Sequence, residues 1–168
     1  MARALEFTVL TAARRGEVLN AQWSEIQDGM WVIPAERMKG GVEHRVALSA
    51  RALELLASLP REEGEYIFIG GRAGQPLNPM SFRRLMAPMG HTTTVHGFRA
   101  TFKTWASEQT AYPPHVVEQA LAHAISNAVE RTYQRGDLIQ KRRRLMEDWA
   151  KFCGRVNVSH GEVVAIRS

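Results

Sequence analysis

The residues of this chain with the clearest chemical potential are one tyrosine and the cationic or imidazole side chains that precede it. They are Arg14, Lys39, His96, Arg99, His123 and Tyr133. An arginine guanidinium can hold two non-bridging phosphate oxygens, and a lysine or histidine can protonate a departing alkoxide. A tyrosine oxygen can attack phosphorus. No carboxylate cluster accompanies the set, so side chains rather than magnesium would have to offset the phosphate charge. The set therefore predicts chemistry on a phosphodiester.

These residues lie in short strings that follow one another along the chain. In order, the strings are TAARRGE at 11–17, RMK at 37–39, HRVALS at 44–49, HGFR at 96–99, LAH at 121–123 and RTY at 131–133. They resemble the tyrosine recombinases, in the phage and prophage integrase branch, over about residues 5–152. Six separated motifs in one order are far more specific than any single motif. Ala47 stands where the branch usually has proline and Ala122 where it has serine or glycine, and neither change removes a functional group.

The resemblance implies an enzyme that breaks and rejoins DNA strands without a metal or any other cofactor. Tyr133 would attack the scissile phosphate and leave a 3′-phosphotyrosine link and a free 5′-hydroxyl. This link conserves phosphoester energy, so a hydroxyl from another strand can reverse the step. Arg14 and Arg99 would stabilise the negative charge of the five-coordinate transition state.

The remaining members of the set would move protons or position groups. His123 would add a further donor, and it precedes Tyr133 by ten residues, the interval of the prophage branch. His96 would accept the tyrosine proton or orient the tyrosine, and Lys39, beside a Gly-Gly turn, would protonate the departing 5′ oxygen. Glu17 would hold an active-site arginine or histidine in place.

The expected partner is double-stranded DNA. The net charge is +5 and the isoelectric point is near 9.9, which fits a polyanion without proving one. The candidate DNA contacts beyond the catalytic set are Arg15, Lys103, Arg131 and Arg135. The run 142–144 of three arginines favours a solvated helix face. The resemblance further implies a homo-oligomer on DNA, a synaptic tetramer.

Two other functions are compatible with the same residues. A topoisomerase would use the same chemistry and rejoin the original strand. A non-catalytic DNA-binding remnant of a prophage would keep the fold and lose turnover, although the intact catalytic set argues against decay. Only the enzymes can become covalently linked to DNA.

The hydrophobic pattern predicts an α+β fold that is mainly α-helical, with a small antiparallel sheet in its N-terminal third. Helices are expected over residues 5–21, 50–56, 81–89, 95–109, 114–121 and 127–134, and from Asp137, in a capping box, onward. The β-rich 31–33 stretch and the alternating 44–48 stretch flank Gly40-Gly41, which indicates a hairpin that residues 23–26 extend. The resemblance implies the integrase-type catalytic domain.

Helix 95–109 has the clearest division of faces. Phe98, Phe102 and Trp105 would pack inward, whereas His96, Arg99 and Lys103 would share a different face.

The sequence predicts one catalytic domain over residues 1–155 and a C-terminal tail over 156–168. The apolar, β-branched stretch 162–166 of the tail is a candidate pairing strand. By resemblance, DNA-binding domains would precede the catalytic one, and they are absent from this chain. Cys153 is the only cysteine, and no apolar run is long enough to cross a bilayer. A soluble protein in the cytoplasm of a bacterium or a phage-infected cell is expected.

Overall fold

A computed structural model of the chain describes residues 1–61, 64–71, 74–90, 94–123 and 138–155. This part of the chain contains seven α-helices and one three-stranded sheet. The helices are α1 (Ala2–Thr11), α2 (Arg15–Leu19), α3 (Ala50–Ala57), α4 (Ser81–Met86), α5 (Val95–Gln109), α6 (Pro114–Ala120) and α7 (Ile139–Cys153). The predicted α+β fold, mainly helical, is confirmed. The predicted helix 127–134 and the tail 156–168 lie outside the described residues.

The first helical stretch is broken just before the first arginine of the catalytic set. α1 ends at Thr11, and Ala12 follows in the left-handed conformation with a φ of 48°. Arg14 has an extended backbone and is the N-cap of α2. Gly16 lies within α2, so the break in the helix expected over residues 5–21 falls before Arg14. The Arg14 side chain is half buried at this break.

The sheet is an antiparallel meander in the order β1 (Ile26–Gln27), β2 (Met30–Ile33) and β3 (His44–Ala47). Strand β2 pairs with β3 so that Ile33 lies opposite His44 at the end of the hairpin next to its connecting turn. The predicted hairpin is confirmed. Residues 23–25 form a 3-10 turn rather than a strand, so only two residues extend the hairpin.

Helix α3 begins as the sequence predicts. The Ser49 side chain accepts a hydrogen bond from the Ala52 amide at 3.3 Å and so satisfies one of the free donors of the first turn. Helix α5 has the predicted bounds. Its Phe102 and Trp105 are buried, and its Phe98 is half buried.

Helix α7 closes the domain with an aromatic cluster. Trp149 stacks on Phe152 at a centroid distance of 5.5 Å and meets the edge of Phe102 at 5.3 Å. The indole nitrogen of Trp149 donates to the Val9 carbonyl at 2.7 Å, which joins α7 to α1. Leu145 and Trp149 are buried, so this face of α7 packs inward.

Two predictions about α7 are wrong. Leu138 rather than Asp137 is at the N-cap, with a φ of 49° and without a side-chain cap. Arg142 is buried rather than solvated, and its guanidinium donates to the Arg45 carbonyl of β3. The neighbouring Arg143 donates to the Asp28 carbonyl at 3.0 Å. These arginines therefore join α7 to the sheet.

Among the described residues, no helix has the length and apolar character required to cross a membrane.

Candidate active site

Three residues of the catalytic set, Arg14, His96 and Arg99, line a cleft of about 730 Å³ between α2, α4 and the start of α5. Its polar lining consists of Arg14, Arg15, Arg83, Thr94, His96 and Arg99, and its apolar wall includes Phe82, Met86 and Val95. The Thr94 hydroxyl caps α5 by accepting from the Gly97 amide at 3.2 Å. The cleft is therefore cationic on one side and apolar on the other.

Arg99 is the most buried member of the set, with 6% of its surface exposed. Its Nη1 donates to the Ala12 carbonyl at 2.5 Å, and its Nη2 donates to the Leu121 carbonyl at 2.6 Å. Burial, followed by the positive charge of Arg14, lowers the pKa of Arg99 to about 10. A guanidinium in this position remains charged at neutral pH and is fixed in direction by backbone oxygens.

Arg14 is fixed by Glu17, three residues later in α2. One carboxylate oxygen of the buried Glu17 accepts the Arg14 backbone N–H at 2.8 Å, and the other accepts from the guanidinium at 2.8 Å. The first of these bonds is half of a capping box. It places the Glu17 carboxylate where it also holds the Arg14 side chain. Arg15 is exposed and lines the same cleft.

The C-terminus of α6 connects these arginines. The His123 amide donates to the Glu118 carbonyl at 3.0 Å and the Ala122 amide to the Gln119 carbonyl at 3.1 Å, the two bonds of a Schellman motif. Ala122 has the left-handed conformation that this motif requires, with a φ of 50°. Its position is the one where the recombinase resemblance led us to expect serine or glycine.

Two successive carbonyls at this helix end accept side-chain hydrogen bonds from two different elements. Leu121 accepts from Arg99 at 2.6 Å, and Ala122 accepts from Arg14 at 3.4 Å. Helix ends leave such carbonyls without intrahelical partners, and cationic side chains are favourable there. The turn is thus a common anchor for both arginines.

His123 follows directly after this turn. Its Nε2 lies 3.3 Å from Nη2 of Arg99, and its Nδ1 lies 2.5 Å from Oε2 of Glu118. The second oxygen of Glu118 contacts Nζ of Lys103 at 2.7 Å. Lys103, a predicted DNA contact, is therefore an ion-pair partner of Glu118 in the free chain.

Lys39 stands apart from this cluster. It is exposed in the turn after a 3-10 segment (Ala35–Arg37), and its side chain makes no hydrogen bond or ion pair with any described residue. The base of the turn is held by Arg37, which donates to the Glu17 carbonyl at 2.5 Å and pairs with the buried Glu25. The hairpin is thus fixed at its base while the Lys39 side chain is left free to reach.

His44 was not predicted as a site residue. Burial, followed by the positive charge of Arg142, lowers the pKa of His44 to about 4, although Glu17 and the Ala120 backbone oppose the shift. His44 is the first residue of the HRVALS motif, which contributed to the recombinase resemblance. Nothing in the sequence around a histidine in a strand indicates that it lies near a distant helix end. Glu118 was not predicted as a site residue either. Its position five residues before His123 is the sequence feature that could have indicated a contact between the two side chains.

Tyr133, Arg131 and Arg135 lie outside the described residues, so their predicted roles stay predictions. Within the described ranges, no group of three or more histidine, cysteine, aspartate or glutamate side chains could hold a metal ion.

The arrangement is suited to holding a phosphate. Arg14 and Arg99 each keep unused N–H groups beside the cleft, because their named bonds leave donors of the guanidinium free. His96 lines the cleft beside them and is exposed. Such prepositioned donors stabilise developing negative charge more than mobile ones do.

Comparisons with known proteins show what the chain as a whole is similar to. The model of the phage integrase family matches residues 1–138. Prophage integrase IntA of Escherichia coli (strain K12) is 37% identical over 84% of this chain and 36% of its own length. Prophage integrase IntZ of the same organism is 31% identical over 88% of this chain and 38% of its own length. The chain thus spans little more than a third of the length of these relatives.

Solved structures share the fold. A lambda integrase dimer bound to a COC′ core site has 25% identity and a TM-score of 0.57, over 81% of this chain and 42% of that chain. XerA recombinase has 20% identity and a TM-score of 0.58, over 92% of this chain and 63% of that chain, and at this identity the likeness concerns the fold alone.

Proposed function

Because the chain belongs to the phage integrase family, we propose that it is the catalytic part of a site-specific DNA recombinase. The reaction is strand cleavage and rejoining through a 3′-phosphotyrosine intermediate, with integration or excision of DNA as the outcome. The related integrases and recombinases favour neither a topoisomerase nor a non-catalytic remnant.

One observation carries the proposal. Arg14 and Arg99, 85 positions apart by their numbers, donate to adjacent carbonyls of one turn and line one cleft, and His123 follows in the same turn. Two guanidinium groups in one cleft, with an imidazole beside them, can donate to the two non-bridging oxygens of a phosphodiester in its five-coordinate transition state. An ordinary cationic surface would lack the buried carbonyls that fix these groups.

We assign a role to each residue of the catalytic set. Arg14 and Arg99 bind the non-bridging oxygens, and His123 adds a third donor. His96, exposed in the cleft, accepts the proton of the attacking Tyr133 or orients it. Lys39 reaches from its turn to protonate the 5′ oxygen as it leaves.

The partner is double-stranded DNA, bound in the cytoplasm of a bacterium or a phage-infected cell. A solved lambda integrase is a tetramer on a Holliday junction, and we extend this assembly to the present chain as a homo-oligomer on DNA. The tail 156–168 would pair with a neighbouring protomer or with its own sheet.

Covalent capture tests the function. The 168-residue chain is incubated with a pool of nicked duplexes whose core and flanking positions are randomised, and linked DNA is recovered after denaturation. We expect the wild type to select duplexes and form a tyrosyl-DNA adduct that persists in EDTA, because side chains supply the charge compensation. Tyr133→Phe should form no adduct and keep its DNA affinity, since no charge is lost.

Tyr112→Phe is the matched control. Its hydroxyl donates to Asp148 at 2.7 Å, and burial followed by this hydrogen bond raises the pKa of Tyr112 to about 12. It should form adduct normally. An adduct with Tyr133→Phe would move the nucleophile to another tyrosine, and no adduct from the wild-type chain would reject the proposed function.

A further inference from the structure

We propose that Glu118 is a positioning residue for His123, which it holds in one orientation and one tautomer toward the cleft. The proposal rests on the function proposed above. It assigns a role to a carboxylate that touches no phosphate and contacts the reacting groups only through the imidazole.

Glu118 holds His123 at two points. Its backbone carbonyl accepts the His123 amide at 3.0 Å, and its Oε2 lies 2.5 Å from the ring Nδ1. The left-handed backbone of Ala122 makes both contacts available, because it turns the chain back over the last turn of α6. The side chain of His123 is 40% exposed, so packing alone would not fix its ring.

The neighbours of the ring dictate its tautomer. Nη2 of Arg99, 3.3 Å from Nε2, can only donate. In the neutral ring Nε2 is therefore the acceptor, and the proton lies on Nδ1, which donates to Glu118. When the ring is protonated, Nδ1–H keeps this partner and Nε2–H is also a donor. Arg99 has no acceptor for a hydrogen bond from Nε2–H, whereas a phosphate oxygen in the cleft can accept it. Glu118 thus serves the ring in both states.

Lys103 keeps Glu118 in place and charged. Its ammonium contacts Oε1 at 2.7 Å, while Oε2 faces His123. Burial raises the pKa of Glu118, but the hydrogen bonds from Lys103 and His123 outweigh burial and leave it below its ordinary value. The carboxylate is therefore ionised at neutral pH and occupied at both oxygens.

The first test is spectroscopic and needs no DNA. Nitrogen-15 chemical shifts of the imidazoles report the tautomer, and His123→Ala identifies the His123 signals. We expect a single Nδ1–H tautomer for neutral His123 in the wild type and a tautomer mixture in Glu118→Ala. Glu118→Gln should retain much of the preference, since the amide oxygen still accepts from Nδ1. Wild-type shifts for His123 in Glu118→Ala would overturn the proposal.

The second test is a double-mutant cycle in single-turnover cleavage, with a duplex selected by the wild-type chain. Glu118→Ala should slow adduct formation by on the order of tenfold to a hundredfold, the effect of a misplaced catalytic group. In the His123→Ala background the same change should have little further effect, because Glu118 acts through the ring. Glu108→Ala, on the exposed face of α5, is the control and should cleave normally.

The outcomes separate the two proposals. An equal slowing with and without His123 would mean a structural role and reject positioning, as would a wild-type rate for Glu118→Ala. A wild-type chain that forms no adduct rejects the proposed function, and the tautomer measurement then decides whether Glu118 orients His123.

Discussion

Nη2 of Arg99 donates to the Leu121 carbonyl at 2.6 Å and lies 3.3 Å from Nε2 of His123. One nitrogen thus connects helix α5 to the turn after α6 and to the imidazole that the turn carries. The second nitrogen donates to the Ala12 carbonyl, at the break before Arg14. Arg99 is therefore a catalytic candidate that also links three parts of the fold: α5, the turn after α6 and the break between α1 and α2.

Replacing Arg99 by lysine should impair both functions. A lysine has one nitrogen, which cannot serve the Ala12 and Leu121 carbonyls together. We expect the adduct rate of Arg99→Lys to fall by about 10²–10³-fold. The free energy of unfolding should fall by roughly 1–3 kcal/mol, because a buried acceptor is left unpaired. Urea denaturation measures this loss, with Arg84→Lys, exposed on α4, as the control. An unchanged unfolding curve would contradict the structural role.

Glycine at position 122 should stabilise the chain. Ala122 has a φ of 50°, a conformation that costs an L-residue roughly 1–2 kcal/mol and glycine little. We expect Ala122→Gly to raise the free energy of unfolding by about 1 kcal/mol and to leave cleavage intact. Ala120→Gly, inside α6, should lower it by about 1 kcal/mol. A loss of stability in both variants would argue against the left-handed turn.

His44 should make the chain less stable in mild acid. Its pKa is about 4 in the folded chain against an ordinary value of 6.5, so the unfolded chain binds a proton that the folded chain does not. The free energy of unfolding should therefore fall as the pH drops from about 6.5 to about 4, by up to about 3 kcal/mol.

Urea denaturation of His44→Gln at several pH values measures this contribution. Glu6 and Glu118 have lowered pKa values and also lose their stabilising effect in acid, but they do so in both proteins. The difference between the wild type and His44→Gln thus isolates the histidine. An identical slope for His44→Gln would show that His44 titrates normally.

Lys39 should be dispensable when the leaving group is good. An ordinary 5′ alkoxide needs protonation, which contributes roughly 10²–10⁴-fold, whereas a bridging 5′ sulfur does not. Lys39→Ala should be slow on ordinary DNA and recover much of its rate on the sulfur substrate. Its stability should be unchanged, since Lys39 has no described side-chain partner. Arg99→Ala is the comparison and should not recover, so equal recovery of both variants would remove the acid role from Lys39.

Much of this protein could be predicted from the sequence because the deciding interactions are local. The bounds of α5 follow from its apolar period, and the start of α3 follows from a serine three residues before the amide that it caps. The β2–β3 hairpin follows from two β-rich stretches around a glycine turn. The order of the motifs indicated the family, although each member alone would be an ordinary surface residue.

Only the tertiary structure decided which polar groups are buried together. Arg142 lies in a run of arginines that favours solvent, yet it is buried because β3 presents a carbonyl to it. His44 and Ala120 are in contact because a sheet edge meets a helix end, and Glu118 reaches His123 because Ala122 adopts a rare backbone conformation. Sequence periodicity specifies which face of an element is apolar. Periodicity does not specify which unpaired backbone carbonyls the polar side chains of an element will meet. In this chain, hydrogen bonds to such carbonyls orient the side chains of the site.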